Sequence, residues 1–266
     1  MAIPRPARIS IRSVAAGVLA CAWIASGAAR EAAQTTGPSQ PIDQAYTAKI
    51  REYTIDPRIS TELVDHMPAS DRVPSPLKVL GRIPGTPDEL TYYSDILRYF
   101  QALDQASDRV IVLKIGTSDE GRDLIMAVIA DEATLRALDK YKAITAELTD
   151  PRTTGADRAR QLVATGKPIY WITGSLHSTE CGSPEMLMEL AFRLAVEETP
   201  FIRNIRDNVI VAITPVLEVD GRDKQVDTFY YGKKTGKAAP PPTWWGHYVA
   251  HDNNRDAIGQ GLTLTQ

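Results

Sequence analysis

The chain has 266 residues, of which 43% are hydrophobic and 24% charged, a globular composition that excludes a mostly disordered protein. Its formal net charge of −3 offers no basic footprint, so nucleic acid is not expected as a partner. The length allows one large α/β domain with an N-terminal extension.

At the N-terminus Arg5, Arg8 and Arg12 precede the apolar run from Val14 to Ala25, and Ser26 to Ala29 supply small residues suited to signal peptidase. Residues 1–29 therefore read as a cleaved export signal. About twelve apolar residues cannot cross a hydrocarbon core of roughly 30 Å, so no stable membrane insertion is expected once the signal is removed. The expected location is the periplasm or the extracellular space. In a variant reading Val18-Leu19-Ala20-Cys21 is a lipoprotein box with Cys21 lipidated, although the apolar residues after Cys21 weigh against it. Without the leader, Cys181 is the remaining cysteine and has no intramolecular disulfide partner.

Residues 30–47 are polar and rich in Gly, Pro, Ser and Thr, and read as a linker. Residues 48–87 combine several prolines with short apolar groups of no sustained period. They read as an irregular N-terminal arm, with His66 a structural residue that supports it. From 88 to 266 the chain reads as one incomplete catalytic domain.

Within that domain Leu90, Tyr93, Ile96, Leu97, Phe100 and Leu103 recur at helical spacing, predicting a helix over 88–106. Apolar, β-branched runs at 109–115 and 124–130 flank a turn-forming segment and predict a strand pair. Helical patterns follow at 132–147 and 155–165, then a strand at 168–174, a helix at 183–197 and a strand at 208–214. Ser183 and Pro184 suit the N-cap and first position of that last helix. After Thr214 the pattern turns loop-like and the chain stops at Gln266 without a closing element. Strands apolar on both faces, separated by helices, predict a three-layer α/β/α sandwich with a mixed, mostly buried sheet. Where such a sheet stops partway, an unpaired edge and an uncovered apolar face are expected.

Two constellations carry chemistry. His177 and Glu180 lie in GSLHSTECGSPEM, just after a predicted strand and just before a predicted helix, where α/β folds place their sites. A spacing of three lets an imidazole and a carboxylate share one cation when the backbone turns helically between them, and both are zinc ligands. Alone, such a pair also fits a surface His beside a helix N-terminal Glu. The second constellation is HDNNRD at 251–256. Arg255 offers a planar fork for a carboxylate and Asn254 a neutral donor beside it, whereas Asp252 suits the free ring N–H of a metal-bound histidine. The plain alternative is a solvated polar loop. Cys181 reads more readily as a small packing residue than as a nucleophile.

Together these residues resemble a known family. His177-Ser178-Thr179-Glu180 after PIYWITG looks like the zinc motif of the carboxypeptidase A-like metallocarboxypeptidases. IGTSDEGRDLIMAVIA is similar to the strand pair before that motif, PVLEVDGR to the family's Asn-Pro-Asp-Gly turn, and HDNNRD to its Asp-x-Asn-Arg motif. The long arm and the HDNNRD form resemble the large exported bacterial branch. The resemblance implies one Zn2+ with His177 and Glu180 as two of three protein ligands, and Asp252 as the partner of His177. It implies that Asn254 and Arg255 grip the C-terminal carboxylate of a peptide or cell-wall peptide, and that metal-assisted hydrolysis follows.

The departures matter as much. The family's third zinc ligand and its catalytic glutamate lie beyond the Asn-Arg motif, and no histidine follows Asp256. The chain is thus expected to be an N-terminal fragment that binds zinc weakly and is inactive, with no catalytic residue identified. His247 and His251 are chemically able to substitute, but His251 stands where the family holds no ligand and His247 sits in the aromatic stretch Trp244-Trp245-Gly246-His247-Tyr248. For an oxyanion cation the interval after PVLEVDG offers Arg222, Lys224, Lys233, Lys234 and Lys237, with no clear match. Two alternatives stay open: a zinc deacylase of N-acyl amino acids, and a non-catalytic peptide- or glycan-binding module using Trp244, Trp245, Tyr248 and Arg255.

Overall fold

A four-stranded mixed sheet in the order β1-β2-β4-β3 organises the computed structural model, which describes residues 40–239, 252–256 and 258–261. β1 (Val110–Thr117) and β2 (Asp123–Ile129) form an antiparallel hairpin across the turn foreseen between them. β2 pairs antiparallel with β4 (Ile210–Thr214), and β4 pairs parallel with β3 (Ile169–Thr173).

Helices cover both faces, and the period-2 alternation of β2 shows how. Ile125, Ala127 and Ile129 join the main core with Ile96, Phe100 and Leu103 of α3 (Tyr93–Ala106) and Leu187, Met188 and Phe192 of α7 (Gly182–Val196). Val128 and Ala130 point the other way, into a smaller cluster with Leu135, Ile210, Leu138 and Tyr141. Those residues come from β4, α4 (Glu132–Arg136) and α5 (Leu138–Leu148), and α6 (Ala156–Thr165) packs against α5. The mixed α/β architecture is as expected. β3 is the exception to the expected burial, since Ile169, Tyr170 and Trp171 are exposed at the sheet edge.

Among the described residues the N-terminal region is more regular than its composition predicts. α1 (Gln44–Tyr53) starts inside the stretch read as linker, because Asp43 caps it by accepting from Tyr46 N. Tyr46 and Met67 are fully buried in the main core, and α2 (Pro76–Leu80) ends at Gly81 with φ 76°. The leader at 1–29 and Cys21 lie outside the described residues.

Three further differences have clear causes. α3 starts at Tyr93 rather than Asp88, because tertiary acceptors take the preceding backbone donors: Leu90 N bonds Tyr230 Oη, Thr91 N bonds Glu185 Oε1 and Tyr93 N bonds Asp223 Oδ1. Residues 200–208 form a short helix, α8 (Pro200–Asn208), with Thr199 as N-cap and Pro200 in its first turn. The supposed loop after Thr214 contains α9 (Val219–Thr235). Its buried first turn combines Val219, which joins the main core, with two buried charges. Arg222 is fully buried and donates to Glu185 Oε1 (2.8 Å), Thr91 O (3.0 Å) and Cys181 O (3.2 Å). Asp220 accepts from Ser118 Oγ and Arg122 Nη1, both at 2.7 Å. Hydrophobic periodicity is blind to a helix buried through ion pairs.

Candidate metal centre

Because β3 and β4 run parallel, the loops at their C-terminal ends emerge on the same edge of the sheet. Backbone bonds zip these loops together past the strand ends: Gly174 N to Thr214 O, Leu217 N to Gly174 O and Glu218 N to Ser175 O. The approach is so close at Gly174 that a Cβ there would lie 2.5 Å from Pro215 O, which only glycine avoids. Ser175 follows with φ 50°, an unusual value for a residue with a side chain, and it is buried. Its N–H donates to Ser183 Oγ at 2.9 Å. Ser183 is therefore not the N-cap of α7; the helix begins one residue earlier, at Gly182, and the Ser183 hydroxyl ties down the loop instead.

His177 sits in the turn so prepared, and both of its ring nitrogens are engaged. Nδ1 faces Glu180 Oε1 at 3.2 Å, and Nε2 faces Asp252 Oδ1 at 3.1 Å. The turn is closed by Glu180 N donating to His177 O at 3.0 Å. The contact with Glu180 is the main cause of a raised imidazole pKa, partly offset by desolvation and reinforced by Asp252. Asp252 is held below the usual carboxylate range, first by the Asn254 N–H and further by His177. The three side chains are partly open to solvent, as access by a ligand requires.

The second loop arrives as a short 3-10 turn, Asn253–Arg255, capped by Asp252. Asp252 Oδ1 therefore serves two donors, the Asn254 N–H at 2.8 Å and His177. The residue that docks this loop, Asn253, is absent from the sequence-derived set. It is 3% exposed, and Nδ2 donates to Leu176 O at 2.5 Å, next to His177. Among the described residues its Oδ1, although buried, has no hydrogen-bond partner. Only the Asn-Asn doublet hints at it, and nothing in the sequence tells which Asn faces inward. Asn254 and Arg255 both face solvent, and Arg255 Nη1 donates to Asn254 O at 3.0 Å.

Other candidates resolve differently. Arg222 is spent on Glu185 and two carbonyls inside the fold, and so is unavailable for an oxyanion. Lys224 pairs with Glu120 at 2.6 Å, and Lys233 Nζ donates to Asp88 O. Burial raises the Cys181 thiol pKa, which opposes thiolate formation at neutral pH. His66 accepts through its carbonyl from Arg193 Nη2 and its ring contacts Asp65, a structural arrangement in the arm. Trp244, Trp245, His247, Tyr248 and His251 lie outside the described residues. Among the described residues no third His, Cys, Asp or Glu joins His177 and Glu180 in a group that could hold a metal. The donor set nonetheless fits zinc as far as it goes. An imidazole nitrogen and a carboxylate oxygen converge, and the opposite ring nitrogen is fixed by a carboxylate.

Against known proteins, the family model described as zinc carboxypeptidase matches residues 96–255, more than half of the chain. No curated protein matches. Among solved structures, carboxypeptidase A from Helicoverpa armigera is 22% identical at a TM-score of 0.35, covering 51% of this chain and 26% of that one. A metallo-carboxypeptidase from Burkholderia cenocepacia is 20% identical at a TM-score of 0.36, covering 51% and 29%. Bovine thrombin-activatable fibrinolysis inhibitor, solved with a tick carboxypeptidase inhibitor, is 14% identical at a TM-score of 0.34, covering 64% and 49%. The chain thus spans half or less of the length of these structures.

Proposed function

The chain belongs to the zinc carboxypeptidase family, and on that premise we propose that it carries part of a zinc-dependent site for removing C-terminal residues from peptides. The observation that carries the reading is the double engagement of His177, with Nδ1 against Glu180 and Nε2 against Asp252. His177 Nδ1 and Glu180 Oε1 would be the zinc donors. Asp252 would hold the imidazole in the tautomer that leaves Nδ1 free to ligate. Zinc bound there supplies Lewis-acid polarisation of a scissile carbonyl. Arg255 and Asn254, exposed on the loop that carries Asp252, would receive the substrate's C-terminal carboxylate, which makes the action exopeptidic. The described residues supply two donors, so a third ligand and a carboxylate base belong to the proposal and not to the geometry. Export by the leader at 1–29, and with it a peptide or cell-wall substrate, is likewise part of the proposal and rests on sequence alone. Among the described residues no helix is long and apolar enough to cross a membrane.

Calorimetric titration with Zn2+ tests the reading. The 266-residue chain is expected to bind one ion, about tenfold or more weaker after His177→Ala or Glu180→Ala. It is expected to show no turnover of C-terminal peptide substrates. Equal zinc binding by the His177→Ala variant would sink the ligand assignment, and zinc-dependent turnover would sink the two-donor description.

A further inference from the structure

Between the two metal donors stands a side chain that turns inward. Ser178 is fully buried, and its hydroxyl donates to Glu218 Oε2 at 2.8 Å, across forty positions of sequence. Glu218 is itself 8% exposed. It lies in the loop after β4 and touches the metal-binding loop twice, since its backbone N–H also donates to Ser175 O at 3.1 Å. The two contacts bracket Leu176 and His177.

A buried carboxylate is costly unless it is hydrogen-bonded. Burial raises the Glu218 pKa, and the Ser178 hydroxyl offsets part of that rise. Other bonds hold the loop at Gly174, Ser175, Leu176 and Cys181, and the Glu218 carboxylate is the partner of the side chain between the two donors. The loop hangs from β3, whose outer face is exposed, and it passes through the positive φ of Ser175, a conformation that persists only where the surroundings enforce it. Glu218 and Val219 are also where PVLEVDGR departs from the Asn-Pro-Asp-Gly turn it resembles, so this contact belongs to the chain's own departure from the pattern.

We propose that Glu218 is a positioning residue for the metal-binding pair: by holding the Ser178 hydroxyl it fixes the turn that brings His177 Nδ1 and Glu180 Oε1 together. The ordering of the turn stands on geometry alone; its consequence for metal rests on the zinc reading above.

The experiment compares the full chain with Glu218→Ala, Glu218→Gln, Ser178→Ala and the Glu218→Ala/Ser178→Ala double variant, with His177→Ala as the metal control. Amide hydrogen exchange is read by NMR on the metal-free proteins at Glu180 and Cys181, whose N–H groups close the turn. Val211 and Ala212 of β4 serve as internal reference. Zn2+ affinity is read by calorimetry. Glu218→Ala and Ser178→Ala are expected to speed exchange at Glu180 and Cys181 about tenfold, with β4 unchanged, and to weaken zinc in parallel, by up to the roughly tenfold that marks the low end for loss of a ligand's own partner. The double variant is expected to be no worse than either single one. Glu218→Gln keeps an acceptor for the hydroxyl and is expected to restore both readouts to within about threefold. Unchanged exchange at Glu180, exchange accelerated equally in β4, or a Glu218→Gln variant no better than Glu218→Ala each overturns the proposal. If Glu218→Ala does not fold, Ser178→Ala carries the same comparison. Zinc binding unaffected by His177→Ala means that the metal reading has failed, and the exchange data then decide the role of Glu218 by themselves.

Discussion

β3 and β4 invite comparison because they are so alike in sequence and so unlike in place. Ile169-Tyr170-Trp171-Ile172-Thr173 and Ile210-Val211-Ala212-Ile213-Thr214 are parallel neighbours of five residues each, paired without a register shift. Every residue of β4 is buried, whereas four of the five in β3 are exposed. Apolar content measures what a strand is able to bury. Its position in the sheet decides what it does bury. The turn that carries His177 hangs from the exposed strand, and Glu218, whose carboxylate accepts from Ser178 in that turn, follows the buried one.

The comparison can be sharpened by substitutions read in equilibrium denaturation. Ile213→Ala in β4 removes a fully buried side chain from the main core and is expected to cost about 2–5 kcal/mol. A smaller effect is expected at the base of β3, where Lys167 Nζ donates to Asp131 Oδ2 at 2.8 Å and to Asp207 O at 2.6 Å. Asp131 also caps α4 by accepting from Thr134 N. Asp131→Ala is expected to cost about 1–2 kcal/mol at neutral pH, the range of a lost cap. Burial pushes the Asp131 carboxyl up, but Lys167 and Thr134 outweigh it and bring it down to about 2. A depressed carboxylate stabilises the fold above its unfolded pKa of about 3.9, and that contribution disappears as pH falls through the folded value. The gap between the unaltered chain and Asp131→Ala should therefore close as pH drops from about 4 to about 2; a gap independent of pH would show that the charge is not what matters. The smallest effect belongs to Tyr170→Ala, 64% exposed on β3, expected within about 0.5 kcal/mol. A cost near that of Ile213→Ala would break the contrast between the strands.

The hairpin β1–β2, the main helices and the order of the sheet-forming segments were legible because their burial is apolar and periodic. α9 was not, because Asp220 and Arg222 are buried through ion pairs and hydrogen bonds, and the Asp-Gly step within it imitates a turn. The exposure of β3 was hidden for a related reason: no local pattern distinguishes an edge strand from a central one when both are apolar. At the site, His177, Glu180 and Asp252 were legible through their spacing and the motifs around them, and the structure brings them together. Asn253, Ser178 and Glu218 were not. Their roles arise from contacts across 77 and 40 positions, and only folding creates such contacts.

The two partners of His177 lie three and 75 residues away along the chain. Loop-closure entropy grows with the logarithm of that separation, and short-range contacts form first. The His177–Glu180 contact is short in sequence, but the turn that holds it is braced by Glu218, forty positions on, and is complete only when the segment after β4 is in place. The carboxylate that orients the imidazole arrives only when a distant segment docks through Asn253. His177 thus draws together three stretches of the chain, its own turn, the segment after β4 and the loop of Asp252, and its ring is engaged at both nitrogens only when all three are in place.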